Sequence, residues 1–145
     1  MKNKAISYIG IIALIGAMLS VMAVFLNWIT AEVVDIGMSG WELYMGIEEF
    51  SQYFFPLIVL VSGVIAVVLA ALEILDMGNE ITRIAMLITG ALMIAFSFYT
   101  YYAFTDDVGE LAVAFDMGIG VFLEIIAGVI LMITPAYAIV NTKKK

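Results

Sequence analysis

The chain has 145 residues, of which 65% are hydrophobic and only 13% charged, with a strongly positive mean hydropathy and a formal net charge of −7. That composition excludes an ordinary soluble domain of this length and points to a single transmembrane domain over residues 1–145. The absence of cysteine and histidine excludes disulfides, thiol catalysis, thiolate or imidazole metal ligation and imidazole acid–base chemistry.

In chain order, residues 5–28 form an apolar run of about two dozen residues, enough at about 1.5 Å per residue to cross a hydrocarbon core of about 30 Å. Lys2 and Lys4 precede it, and Val21-Met22-Ala23 offers the small residues a signal peptidase favours. The run is longer than a signal core, so a retained first span is the expectation. The long polar interruption runs from Asn27 to Gln52 and holds both tryptophans, Trp28 and Trp41, and five carboxylates, with residues 29–52 as the loop outside the span. Within it, residues 33–36 read as an extended piece and residues 37–40 as a turn. Residues 41–50 read as a short amphipathic helix with Trp41, Leu43, Tyr44, Ile47 and Phe50 near one side.

A second span is expected over residues 53–75, opening with aromatic residues and with Pro56 in its first turn, where its missing N–H costs nothing. A short hairpin follows, in which Asn79 is placed to cap a third span over residues 81–104 and Glu73 can pair with Arg83. Tyr99, Tyr101 and Tyr102 form an aromatic belt near the far end of that span. Residues 105–117 make a second loop, and the fourth span covers residues 118–140, bent near Pro135 by the loss of one hydrogen bond.

Four spans put both termini on one side. All six basic residues, Lys2, Lys4, Arg83, Lys143, Lys144 and Lys145, fall on that side or in the hairpin facing it, which the positive-inside rule makes the cytoplasm. Nine of the thirteen carboxylates then face outward with no basic residue among them, a distribution unsuited to nucleic acid. Small residues at close-packing spacing mark every span: Gly16 and Ser20, then Ser62, Ala66 and Ala70, then Ala91 and Ala95, then Gly120 and Gly128.

Three features can carry chemistry. Glu124 is the one ionisable residue well inside a span, roughly 9 Å below its outer start, and a carboxylate there is costly unless protonated, paired or wetted. Ser97, Ser62 and Ser20 reach comparable depth, so the set reads either as a proton or sodium site or as a hydrogen-bonded lock. Asp106, Asp107, Glu110 and Asp116 supply oxygens of the kind a hard cation takes, without EF-hand spacing, and read equally as a solvated acidic loop. The Glu73–Arg83 pair reads as structural. No cofactor is expected.

Leu26-Asn27-Trp28, Gly37-x-Ser39-Gly40-Trp41-Glu42-Leu43, the aromatic-Pro start of the second span and Gly118-Ile119-Gly120-Val121-Phe122-Leu123 resemble a set of small prokaryotic four-span membrane proteins, a resemblance that implies no particular activity. More distantly, the cytoplasmic termini, larger first outer loop and loop tryptophans resemble claudin-like tetraspans. In claudins that loop forms a small sheet that contacts neighbouring molecules. The paired loop cysteines of claudins are missing from this chain, and only the architecture is carried over. An acid in a fourth helix is also similar to the proteolipid subunits of rotary ATPases, whose glycine-rich helices are not matched.

The sequence therefore predicts an all-α integral membrane protein of the plasma membrane, a four-transmembrane-helix bundle with both termini cytoplasmic. It is expected to be a non-enzymatic envelope assembly, adhesion or accessory component, with membrane lipid and a protein partner or second copy as its company. Trp28, Trp41, Leu43, Tyr44 and Phe50 are the expected contact residues. The alternative is an ion-conducting oligomer that uses Glu124.

Overall fold

The computed structural model of the chain describes residues 4–31, 36–45, 55–110 and 115–143. Four long helices dominate: α1 (Lys4–Ala23), α3 (Phe55–Ile74), α4 (Glu80–Val108) and α5 (Ile119–Lys143). Between α1 and α3 lie two strands, β1 (Asn27–Ala31) and β2 (Ile36–Ser39), and a short helix α2 (Gly40–Met45), while β3 (Asp116–Met117) leads into α5. α3, α4 and α5 each contain a stretch long and apolar enough to cross a membrane, and α1 contributes a shorter apolar stretch, Tyr8–Ala23.

The long helices pack as a ring in the order α1, α3, α4, α5, each against two neighbours. Close approaches at glycine fix the directions. Gly10 and Gly63 place α1 antiparallel to α3, because Gly10 sits against Glu73 and Ile74 while Gly63 sits against Ser20 and Val21. Gly16 meets Ile130 across the α1–α5 contact, and Gly90 and Gly128 bring α4 and α5 together almost backbone to backbone. Lipid tails are as apolar as the side chains, so such close van der Waals approach, rather than a hydrophobic drive, holds helices of this composition together. On α3 the expected stripe of Ser62, Ala66 and Ala70 is buried. On α4, however, Ala91 and Ala95 are exposed and the packed face is Met86, Thr89, Gly90, Met93, Ser97, Thr100 and Phe104. That stripe steps by three and four residues and carries the bulk that fills the ring, which two alanines one turn apart do not.

One end of the ring is closed by a three-stranded antiparallel sheet in the order β2-β1-β3. The strand corrects two expectations. The first apolar run does not stay helical to residue 28: α1 stops at Ala23 and residues 27–31 are extended. Asn27-Trp28-Ile29-Thr30 is rich in residues that favour strands, and the chain leaves the helix in a turn that donates Phe25 N–H to Met22 and Leu26 N–H to Ala23. Residues 37–40 are likewise not a turn. Gly37 pairs with Thr30 inside β2, and Gly40 opens α2. Ser39 caps that helix, its hydroxyl accepting the Glu42 N–H at 3.1 Å. The far part of the expected amphipathic helix, including Phe50, lies outside the described residues.

The opposite end is a tight hairpin. α3 ends with Asp76 in the left-handed region at φ 64°, with Met77 N–H bonded to Leu72 O at 2.8 Å and Asp76 N–H to Glu73 O at 3.2 Å. These crossed bonds satisfy the last carbonyls of the helix. Asn79 caps α4 as expected, in a reciprocal box with Thr82. Arg83 reaches back across the hairpin with Nη2 2.6 Å and Nε 3.0 Å from Glu73 Oε1. α4 runs to Val108, beyond the expected residue 104, so Asp106 and Asp107 sit on its last turn. α5 continues as one helix through Pro135.

Candidate functional site at the sheet end

Trp28 is the centre of the sheet end. It lies where the β1–β2 register shifts between Asn27 and Ile29, and Trp28 and Ile29 are both fully buried, which breaks the alternation of an ordinary strand. A bulge re-aims a side chain in this way, here into the mouth of the helical ring. The indole Nε1 donates to Ala23 O at 2.8 Å, so the ring also caps a terminal carbonyl of α1. The backbone carbonyl of Trp28 accepts the Gly118 N–H at 2.7 Å, which ties β1 to the start of α5.

Two glycines make room for the indole. A Cβ on Gly40 would stand 2.7 Å from Trp28 Cε2, and one on Gly120 would overlap Trp28 Cδ1. Trp28 is therefore held between the first residue of α2 and the first turn of α5. The motifs that stand apart in the sequence, Asn27-Trp28, Gly37 to Trp41 and Gly118-x-Gly120, are in contact in space. Gly37 lies against the Asn27 side chain, and Gly118 lies against the Asn27 backbone. Sequence reasoning placed Gly120 on a helix-packing face but missed its function as the seat of an indole. The signal was the Gly-x-Gly spacing at the opening of a span.

Glu124 lies one turn below Gly120 on α5 and is fully buried. Ser20 Oγ donates to its Oε2 at 2.6 Å, which links α1 to α5 beneath Trp28. The other oxygen, Oε1, is buried without a hydrogen-bond partner among the described residues. Of the four residues expected to share this depth, Ser20 and Glu124 are brought together. Ser97 spends its hydroxyl on its own helix, donating to Met93 O at 2.6 Å. Ser62 is buried on α3 next to Gly63, the residue that approaches Ser20.

The expected contact residues divide by burial. Trp28 and Leu43 are core residues at 0% and 1% exposure, so neither offers its side chain to another molecule. Trp41 is 36% exposed and its N–H donates to Val24 O at 3.0 Å, fixing it on the end of α1. Its ring stands 5.9 Å from Phe25 and 5.6 Å from Tyr44; Phe25 and Trp41 are exposed and Tyr44 is half-buried, and the three rings form a ledge at this end. The carboxylates considered for a cation are all exposed: Asp106 and Asp107 on α4, Glu110 just after it and Asp116 on β3. No group of three or more among the described residues is close enough to hold a metal ion.

Comparison with protein-family models, curated proteins and solved structures gives no match. The class defined by composition and fold is a helical bundle of membrane type, with three helices of membrane-crossing length and apolarity and a sheet closing one end.

Proposed function

We propose that this is a four-span protein of the plasma membrane with both termini in the cytoplasm, and that it acts without catalysis as an assembly, adhesion or accessory component through its sheet end. The observation that carries this reading is the Phe25–Trp41–Tyr44 ledge, two exposed rings and one half-buried ring, mounted on a segment whose backbone bonds to Val24 at the end of α1 and whose neighbouring tryptophan bonds to Ala23 and to Gly118 at the start of α5. Rigid aromatic rings bury much area at low entropic cost, the property of residues that anchor protein contacts. The placement of the basic residues supports the orientation, with the hairpin end inside.

The test is the oligomer mass of the purified protein in mild detergent, with cross-linking in native membranes. A defined assembly that Trp41→Ala dissociates while the monomer stays folded supports the proposal. A monomer that cross-links to nothing, whether or not Trp41 is present, overturns it.

One observation favours a second reading. The unpartnered Oε1 of Glu124, buried at 0% exposure, has room in its chemistry for a proton or a monovalent cation, which is what an ion-conducting oligomer requires. Flux through proteoliposomes that is lost in Glu124→Gln supports that reading, and the absence of flux, or flux that Glu124→Gln leaves unchanged, removes it.

A further inference from the structure

α4 is longer than a bilayer core requires. From its capped start at Glu80 to Tyr99 is nineteen residues, about 28 Å, and Asp106 stands about 39 Å from the start. With the hairpin at one edge of a hydrocarbon core of about 30 Å, the stretch from Tyr99 to Asp106 falls in the headgroup layer on the far side. A groove of about 530 Å³ opens there, lined by Tyr99, Tyr102, Ala103, Thr105 and Asp106. Tyr99, Tyr102, Ala103 and Asp106 step by three, one and three residues and so share one face of the helix. Tyr99 is 57% and Tyr102 65% exposed, and Phe55 packs edge-on against Tyr99 at 4.8 Å and steadies it.

We propose that this groove is a site for the amine end of a phospholipid headgroup, ethanolamine or choline; the assignment rests on the membrane-spanning reading. A groove on the lipid-facing side of a span is filled by lipid, and its lining decides which headgroup is preferred. Two tyrosine faces attract an ammonium through their ring quadrupoles, and the Asp106 carboxylate supplies the opposite charge. The same carboxylate repels a headgroup that is only anionic. No Lys or Arg occurs between Arg83 and Lys143 to hold such a headgroup instead. Tyrosines are also common at bilayer interfaces whatever the lipid; that general preference does not predict a distinction between headgroups, and it gives Asp106 no role.

The test is native mass spectrometry of the delipidated protein titrated with phosphatidylethanolamine, phosphatidylcholine and phosphatidylglycerol of matched chains. The expected result is retention of the two amine lipids about fivefold better than phosphatidylglycerol, with most of the preference lost in Asp106→Asn and in Tyr102→Leu. Asp107→Asn removes the same charge from the neighbouring position outside the groove and is expected to leave the preference intact. Equal retention of all three lipids, or equal effects of Asp106→Asn and Asp107→Asn, overturns the site. Carbonate extraction of native membranes separates this failure from failure of the underlying reading: protein that stays in the membrane but shows no preference overturns the headgroup site alone, whereas release by carbonate overturns the spanning reading.

Discussion

Among the described residues two glutamates are buried in the ring of helices, and each keeps different company. Glu73, at the hairpin end, meets a guanidinium through two of its nitrogens and lies against Gly78, where a Cβ would overlap its Oε2. Glu124, at the sheet end, accepts a hydrogen bond from one hydroxyl, that of Ser20. On α4, which packs against α5, Glu80 and Arg83 stand at the hairpin end, and Asp106 and Asp107 are exposed on the last turn. The hairpin end is therefore held by charge and capping within a short local segment. The sheet end is held by shape, with one tryptophan filling the mouth of the ring and segments distant in sequence gathered around it. Local charge pairs close a turn cheaply, whereas a large aromatic residue is the more economical way to join four elements in an apolar surrounding.

The largest expected effect tests the sheet end. Trp28→Ala removes a fully buried indole together with its bond to Ala23 O and should cost about 3–5 kcal/mol. Unfolding in mild detergent, followed by tryptophan-independent circular dichroism, measures it. Gly120→Val should destabilise to a comparable degree, because its side chain claims the space of the indole. If either variant unfolds like the wild type, Trp28 is not the element that holds the sheet to the helices.

The hairpin end comes next. Arg83→Met leaves Glu73 buried without its guanidinium and should cost about 3 kcal/mol, while Glu73→Leu combined with Arg83→Met should recover most of that loss. The recovery separates a pair that merely satisfies itself from one that adds net stability. A double variant as unstable as the single one would show that the ends differ less than their chemistry suggests.

Much of the hairpin end was legible in the sequence, because its determinants are local. Asn79 precedes an apolar run, Arg83 follows Glu73 by ten residues across a turn, and both expectations match the structure. The sheet end was not legible to the same degree. Hydropathy carries the apolar run straight through residues 24–28, and nothing local states that Trp28 will enter a strand. Its burial depends on Gly40 and Gly120, which lie 12 and 92 residues away and become informative only once the fold brings them together. The buried acid was visible as a lone charge in a span. Its partner was visible only as one of three serines at similar depth, since helix phase, which separates Ser20 from Ser97, depends on crossing positions that depth does not give.

The smallest effect bears on that acid. Ser20→Ala removes the donor to Oε2 and leaves both oxygens of Glu124 buried without a donor; the expected loss is about 1–2 kcal/mol, the desolvation cost of an acceptor left unmatched. Glu124→Gln keeps the shape of the side chain and an oxygen for Ser20 and should change stability by less than about 1 kcal/mol. The double variant, Ser20→Ala with Glu124→Met, replaces both partners by apolar groups in an apolar surrounding and should come close to the wild type, because neither polar group remains to be satisfied. That near-neutral double variant would identify the pair as one solution among several for joining α1 to α5 under Trp28. A double variant that folds normally yet loses the assembly or the flux of the native protein would instead show that the pair is kept for function, and would set the sheet end apart from the hairpin end by what it does as well as by how it is held.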